Sequence, residues 1–206
     1  MTSVCVQVFT RAPVVGRVKT RLIAQLGATG AAALHARMAE RMCAVVASLP
    51  GVHELWVDGS IDHPWVRDVS ERYNLRVHNQ QGSDLGARMF NAAASACARL
   101  AQPIVIGTDC WVLDAAYLQS AIDALVEGVD VVLGPVEDGG YVLIGLRDSR
   151  PELFSNMTWS NALVLDETLR RCAALDLRVR QLPTLWDVDR PEDVARLRAS
   201  GVTWDE

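Results

Sequence analysis

Apolar, β-branched runs alternate along the chain with stretches whose apolar positions recur every three or four residues. The runs near 4–9, 54–58, 75–78, 103–107, 130–134, 141–146 and 178–182 read as strands. Between the first two, helical spacing places Leu34, Met38, Met42, Val45 and Val46 on one stripe of a helix over about 31–48. The same spacing returns in Leu85, Met89, Phe90 and Ala93, in Leu118, Ile122 and Leu125, and in Val164, Leu165, Leu169 and Cys172. Strands that take turns with amphipathic helices predict an α/β fold, a mostly parallel sheet covered by helices. Pro50-Gly51 and Gly82 read as turns, and no repeat, low-complexity segment or linker interrupts the pattern, so residues 1–206 are expected to form one domain.

Composition narrows the class. Half of the 206 residues are apolar, yet no uninterrupted run approaches the roughly 20 that a membrane-spanning helix requires. The strand-like Val4–Phe9 follows Met1 without a basic start or a small-residue cleavage site, which gives the cytoplasm as the expected compartment. Five scattered cysteines, none in a CxxC pair, argue against a disulfide framework and a zinc site. His35, His53, His63 and His78 lack the spacing of a zinc hydrolase or deaminase and read as structural or exposed. A net charge of −5 offers no overall field for nucleic acid, so phosphate, if bound, is bound locally.

In such a sheet ligands gather outside the carboxyl ends of the strands, which directs attention to four loops. The first, Thr10 to Arg21, carries four cations in eleven residues around Gly16. Backbone amides near Gly16, the Lys19 ammonium and the forked guanidinium of Arg11 or Arg21 suit a polyphosphate. It is not a P-loop, because Arg17 and Val18 separate the glycine from Lys19. A solvated basic loop is the plain alternative. The second, Gly107 to Leu113, brings Asp109 to the sheet edge, where Mg²⁺ needs one or two carboxylates plus phosphate oxygens and water. Asp114 is the better helix cap, and Cys110 reads as packing. The third, Gly134 to Gly140, pairs Gly139 and Gly140, which suits a close ligand or a tight turn equally. The fourth, Leu185 to Asp193, offers Asp187 and Asp189, of which only one need reach a metal. Pro191 opens a helix there, and Asp189 is an alternative cap because Arg190 lacks a side-chain oxygen.

Together the stations Arg11-x-Pro13-x-x-Gly16-x-x-Lys19-Thr20-Arg21-Leu22, Gly82-Ser83-Asp84-Leu85-Gly86-x-Arg88-Met89, Gly107-Thr108-Asp109-Cys110, Gly134-Pro135-x-x-Asp138-Gly139-Gly140-Tyr141, Trp159-Ser160 and Asp187-Val188-Asp189-x-Pro191-Glu192-Asp193 resemble the bacterial domain-of-unknown-function 2064 family over nearly the whole chain. That family is glycosyltransferase-like and belongs with the GT-A nucleotide-diphospho-sugar transferases. The resemblance implies a three-layer α/β/α sandwich with a central, mostly parallel mixed sheet. It implies a nucleotide held by Arg11, Pro13, Gly16, Lys19 and Arg21 with Gly86 and Arg88. Because Gly139 and Gly140 would leave room for a ligand against backbone and Ser160 could donate from a helix start, Asp138, Gly139, Gly140, Trp159 and Ser160 are expected to border the acceptor side. Lys19 and Asp109 take the catalytic positions, and Asp109 and Asp189 hold Mg²⁺ or Mn²⁺.

The pattern is similar as well to nucleotidyltransferases of the 2-phospho-L-lactate guanylyltransferase and CMP-Kdo synthetase kind, in which an early Lys, a middle Asp and a late Asp serve triphosphate and magnesium. Trp111, Asn161 and Arg190 depart from the usual proline and threonines at those stations. The expected partners are a nucleoside triphosphate or nucleotide sugar and a small-molecule acceptor. Glycosyl transfer stands first, nucleotidyl transfer is the alternative, and a non-catalytic nucleotide-binding protein is a third reading.

Overall fold

The computed structural model describes residues 3–159 and 161–202. Seven strands form one sheet: β1 (Ser3–Arg11), β2 (Glu54–Asp58), β3 (Arg76–Asn79), β4 (Ala101–Ile106), β5 (Val131–Pro135), β6 (Tyr141–Leu146) and β7 (Val179–Gln181), in the order β3-β2-β1-β4-β6-β5-β7. β6 alone runs against its neighbours β4 and β5, while every other pairing is parallel. The carboxyl ends of six strands therefore open on one edge. Six helices cover the sheet: α1 (Ile23–Ala47), α2 (Pro64–Arg72), α3 (Leu85–Cys97), α4 (Ala115–Val126), α5 (Val164–Ala174) and α6 (Pro191–Ala199). This is the three-layer α/β/α sandwich that the alternating pattern and the resemblance foretell.

The inner strands are buried on both faces, whereas the edge strands β3 and β7 are partly exposed, and alternation along β1 shows why the inner ones are. Val6 and Val8 face one layer, where Leu55, Val57, Ile104 and Ile106 meet Met42 and Val46 of α1, Val66 and Val69 of α2, and Leu118 and Leu125 of α4. Phe9 faces the other, where Trp56, Val105, Leu133 and Ile144 meet Met89, Ala92 and Ala93 of α3 and Cys172 of α5. A smaller cluster packs α6 on α1 through Leu34, Met38, Val194 and Leu197, and encloses Val188. Among the described residues no helix is long and apolar enough to cross a membrane.

Several boundaries differ from the pattern. α2 is absent from the expected elements: it is a nine-residue, mostly polar helix with two buried positions, Val66 and Val69. α1 starts eight residues before the expected 31, interrupted at Gly27, whose φ of 69° is not helical. β4 begins at Ala101 and contains Pro103, which pairs only with β1, since the β6 register starts at Ile104. Asp114 caps α4, its carboxylate accepting from Tyr117 N at 2.8 Å.

One charge lies deep in the sheet. Glu54 is 1% exposed and accepts from Gln7 Nε2 at 2.9 Å and Trp56 Nε1 at 2.8 Å while pairing with Arg99. The Arg99 side chain is 40% exposed, so part of its charge is screened. Arg99→Ala leaves Glu54 buried with only the His78 imidazole, 3.6 Å away, in place of its permanent cation, and the expected loss is about 2–3 kcal/mol in urea unfolding. A loss no larger than that of an ordinary surface substitution would contradict this account of Glu54.

Candidate functional site

The loaded loops meet at the carboxyl edge. β1 ends at Arg11, and the chain passes Gly16 (φ 78°) to Lys19, itself left-handed at φ 45°. That turn sends the Lys19 side chain inward, where it is 4% exposed. Its ammonium donates to Asp109 Oδ1 at 2.8 Å, to Asp189 Oδ1 at 3.2 Å and to the Val188 carbonyl at 2.6 Å. Asp109 follows β4, and Asp189 lies 170 positions from Lys19 in the loop before α6. Arg21 takes the other Asp189 oxygen at 2.7 Å.

The late loop is held from three sides. Val136 and Leu185 form a parallel bridge, Glu137 N donates to Leu185 O at 3.0 Å, and Val188 N donates to Asp109 O at 2.8 Å. Val188 is fully buried, which turns Asp187 and Asp189 away from the core. The cap of α6 is not Asp189: the Asp193 carboxylate accepts from the amides of Asp189 (3.0 Å) and Arg190 (2.7 Å), leaving the Asp189 side chain to the cations.

The electrostatics follow from this crowding. Burial pulls the Lys19 ammonium down, but the charges of Asp109 and Asp189 overcome it and hold the pKa above the ordinary lysine value. Burial pushes Asp109 up, but Lys19 outweighs it and holds the carboxyl below its usual range. Asp187 has no such cation among the described residues. Burial, then the charges of Asp138, Asp189 and Asp109, push it up to about 6.

A second cluster lies alongside. The Asp58 carboxylate, ending β2, receives Arg11 Nε at 3.0 Å and Arg88 Nη1 at 2.9 Å. Arg11, Val14, Arg17, Asp58, Ser60 and His63 line a cleft of about 390 Å³, within the range of small-ligand pockets. The expectation of one anion site shared by Arg11, Gly16, Lys19 and Arg21 is thus divided: Lys19 and Arg21 converge on Asp189, whereas Arg11 joins Arg88 on Asp58. Asp58 and Ser60 lie outside the sequence expectations, while Arg17 figures there only as one of the first loop's cations and His63 as structural or exposed. Asp58 carried the same signal as Asp109, a carboxylate closing an apolar strand. His35 gave no signal on its apolar stripe, yet its Nε2 lies 3.0 Å from the Arg11 carbonyl and its ring is near Asp109 and Lys19.

On the other side the arrangement differs from the expected ligand room. Gly139 (φ 89°) is filled by its own chain, since a Cβ there would stand 2.2 Å from the Ala162 carbonyl oxygen. Gly140 N closes on Asp138 Oδ1 at 2.9 Å. Gly86 is pressed against Trp159, whose Nε1 would stand 2.7 Å from an added Cβ and has no hydrogen-bond partner among the described residues. Pro13 is half-buried in the first loop, and Ser160 lies outside the described residues. Cys110 is fully buried and its thiol is pushed up to about 11 by burial, which suits packing and not attack.

Asp109 and Asp189 supply hard oxygen donors at a partly open site, their side chains 45% and 38% exposed. Among the described residues no three His, Cys, Asp or Glu side chains are grouped to hold a metal ion. Two carboxylates fit Mg²⁺ or Mn²⁺ only where phosphate oxygens and water complete the shell.

The fold is an α/β sandwich of the nucleotide-diphospho-sugar transferase-like kind, with GT-A-like architecture. The chain belongs to the family described as an uncharacterized protein conserved in bacteria, domain of unknown function 2064, whose model matches residues 31–161. The first and last loops lie outside that match. A protein from Desulfovibrio desulfuricans G20, provisionally described as a nucleotide-diphospho-sugar transferase, spans them: 30% identity, 100% of this chain, 90% of that chain and a TM-score of 0.89. CMP:2-keto-3-deoxy-manno-octonic acid synthetase in complex with CTP is similar at 11% identity over 97% of this chain and 98% of that one, TM-score 0.58. Glucosyl-3-phosphoglycerate synthase from Mycobacterium tuberculosis, in complex with Mn²⁺, uridine diphosphate and glucosyl-3-phosphoglycerate, is similar at 11% identity over 97% and 76%, TM-score 0.55. These last two show the fold alone. A search of curated proteins finds no match.

Proposed function

We propose that this chain is a cytoplasmic, divalent-cation-dependent transferase that takes a nucleotide-activated donor, with glycosyl transfer to a small acceptor as the leading reaction. The observation that carries the reading is the meeting of Lys19, Asp109 and Asp189 beside the cleft of Arg11, Arg17 and Asp58. A nucleotide phosphate chain needs cations converging at hydrogen-bond reach, and Arg11, Arg17, Lys19, Arg21 and Arg88 border this edge. The bound cation would neutralise phosphate charge as the donor bond breaks. Asp109 and Asp189 would hold it, and the arginines would orient the phosphates, so that most of the rate comes from positioning and fixed charge. The description of the Desulfovibrio relative favours sugar transfer. The density of cations at the first loop favours the second reading, nucleotidyl transfer from a triphosphate.

Product analysis separates them. A panel of nucleotide sugars and nucleoside triphosphates, offered with Mg²⁺ and candidate acceptors, should release a nucleoside diphosphate if a sugar moves and pyrophosphate if a nucleotide moves. Nucleotide binding without either product would leave a nucleotide-binding protein and overturn the transferase reading.

A further inference from the structure

We propose that the Lys19 ammonium occupies the cation position of the Asp109–Asp189 pair, and that a divalent cation reaches those carboxylates only in exchange with it. This rests on the transferase reading above in one respect: the freed ammonium passes to the phosphates of the incoming nucleotide.

An ammonium has three N–H donors, and all three here have an oxygen: Asp109 at 2.8 Å, Asp189 at 3.2 Å and the Val188 carbonyl at 2.6 Å. With its side chain 4% exposed, Lys19 has neither a donor nor an approach left for a phosphate in this state. The contacted carboxylate oxygens are also those a metal would need. A divalent ion binds carboxylate oxygen at about 2.1 Å. An ammonium beside the same two oxygens and a dication upon them would repel each other at a few ångströms. One must leave. A cation shared by both carboxylates has no other seat, because Arg21 holds the second oxygen of Asp189 at 2.7 Å and the second oxygen of Asp109 reaches one carboxylate only.

The Val188 carbonyl is the anchor. It belongs to a fully buried residue whose own amide is tied to the Asp109 carbonyl, so the ammonium returns to one fixed place. Arg17, by contrast, lines the cleft with no ion pair among the described residues, which leaves it free to meet phosphate first. The site is thereby kept charge-neutralised before substrate arrives. Cation binding is weak alone and strong with nucleotide, a coupling between two ligands through one side chain.

The test is a Mn²⁺ titration without nucleotide, followed by electron paramagnetic resonance of the free ion. Lys19→Met keeps the length of the side chain and removes its charge, and it should bind Mn²⁺ about tenfold more tightly than wild type or better. Lys19→Arg, which keeps the charge, should stay at the wild-type level. Equal or weaker Mn²⁺ binding by Lys19→Met would overturn the exchange. Where Lys19→Met does not fold alone, recovery of a cooperative melt by millimolar Mn²⁺ supports the proposal, and no recovery overturns it. Nucleotide binding to wild type is measured separately. Its absence would defeat the transferase reading, while the Mn²⁺ comparison still decides whether Lys19 and the metal share one place.

Discussion

Asp109→Asn is expected to abolish the Mg²⁺ dependence of nucleotide binding and to lower turnover by about two to three orders of magnitude. The residue lies in the loop after the central strand β4, faces the open edge with 45% of its side chain exposed, and is one of two carboxylates joined through Lys19. Asparagine keeps the shape and a carbonyl acceptor but removes the charge that a hard cation requires. The fold should survive, because Lys19 retains Asp189 and the Val188 carbonyl, and the backbone bond from Val188 N to Asp109 O is untouched. Calorimetry with nucleotide, in the presence and absence of Mg²⁺, reads the effect. Mg²⁺-dependent binding at the wild-type level in the variant would remove Asp109 from the metal site.

Gly139→Ala should be the costliest small substitution in the loops. Its φ of 89° strains any L side chain, at about 1–2 kcal/mol. A Cβ would also meet the Ala162 carbonyl oxygen at 2.2 Å and its carbon at 2.8 Å, and these are backbone atoms that cannot turn aside. The forced shift adds about 1–3 kcal/mol. It propagates, since the Gly139 carbonyl accepts from Leu165 N at the start of α5. Gly16→Ala is the matched comparison: φ is 78°, but no atom lies within 4 Å of the new methyl, so only the backbone cost remains. Urea unfolding of the two variants should differ by the packing share. Equal losses would mean that Ala162 yields without cost.

The layers of the fold were legible because strands buried on both faces and helices buried on one leave different apolar periods. The direction of β6 was not, since an apolar run such as Val142–Leu146 reads the same in a parallel or an antiparallel strand. Asp109 was legible as a carboxylate ending an apolar run. The same rule applied to Asp58 would have found the second cluster. What the chain could not reveal is partnership across the sheet order: β1 sits between β2 and β4, and this alone brings Arg11 to Asp58 and Lys19 to Asp109. Gly139 shows the converse limit. Its sequence context allowed ligand room or a tight turn, and the chain itself fills the space with Ala162. The cap of α6 was sought in Asp189 because Arg190 cannot serve, whereas the carboxylate of Asp193 reaches back to both amides.

The central claim is that this sheet edge binds a nucleotide together with a divalent cation. Isothermal calorimetry of the wild-type protein with a panel of nucleoside triphosphates and nucleotide sugars, each with and without Mg²⁺, tests it most directly. The account predicts saturable binding of at least one of them that tightens when Mg²⁺ is present. No binding across the panel, or binding indifferent to Mg²⁺, would contradict it.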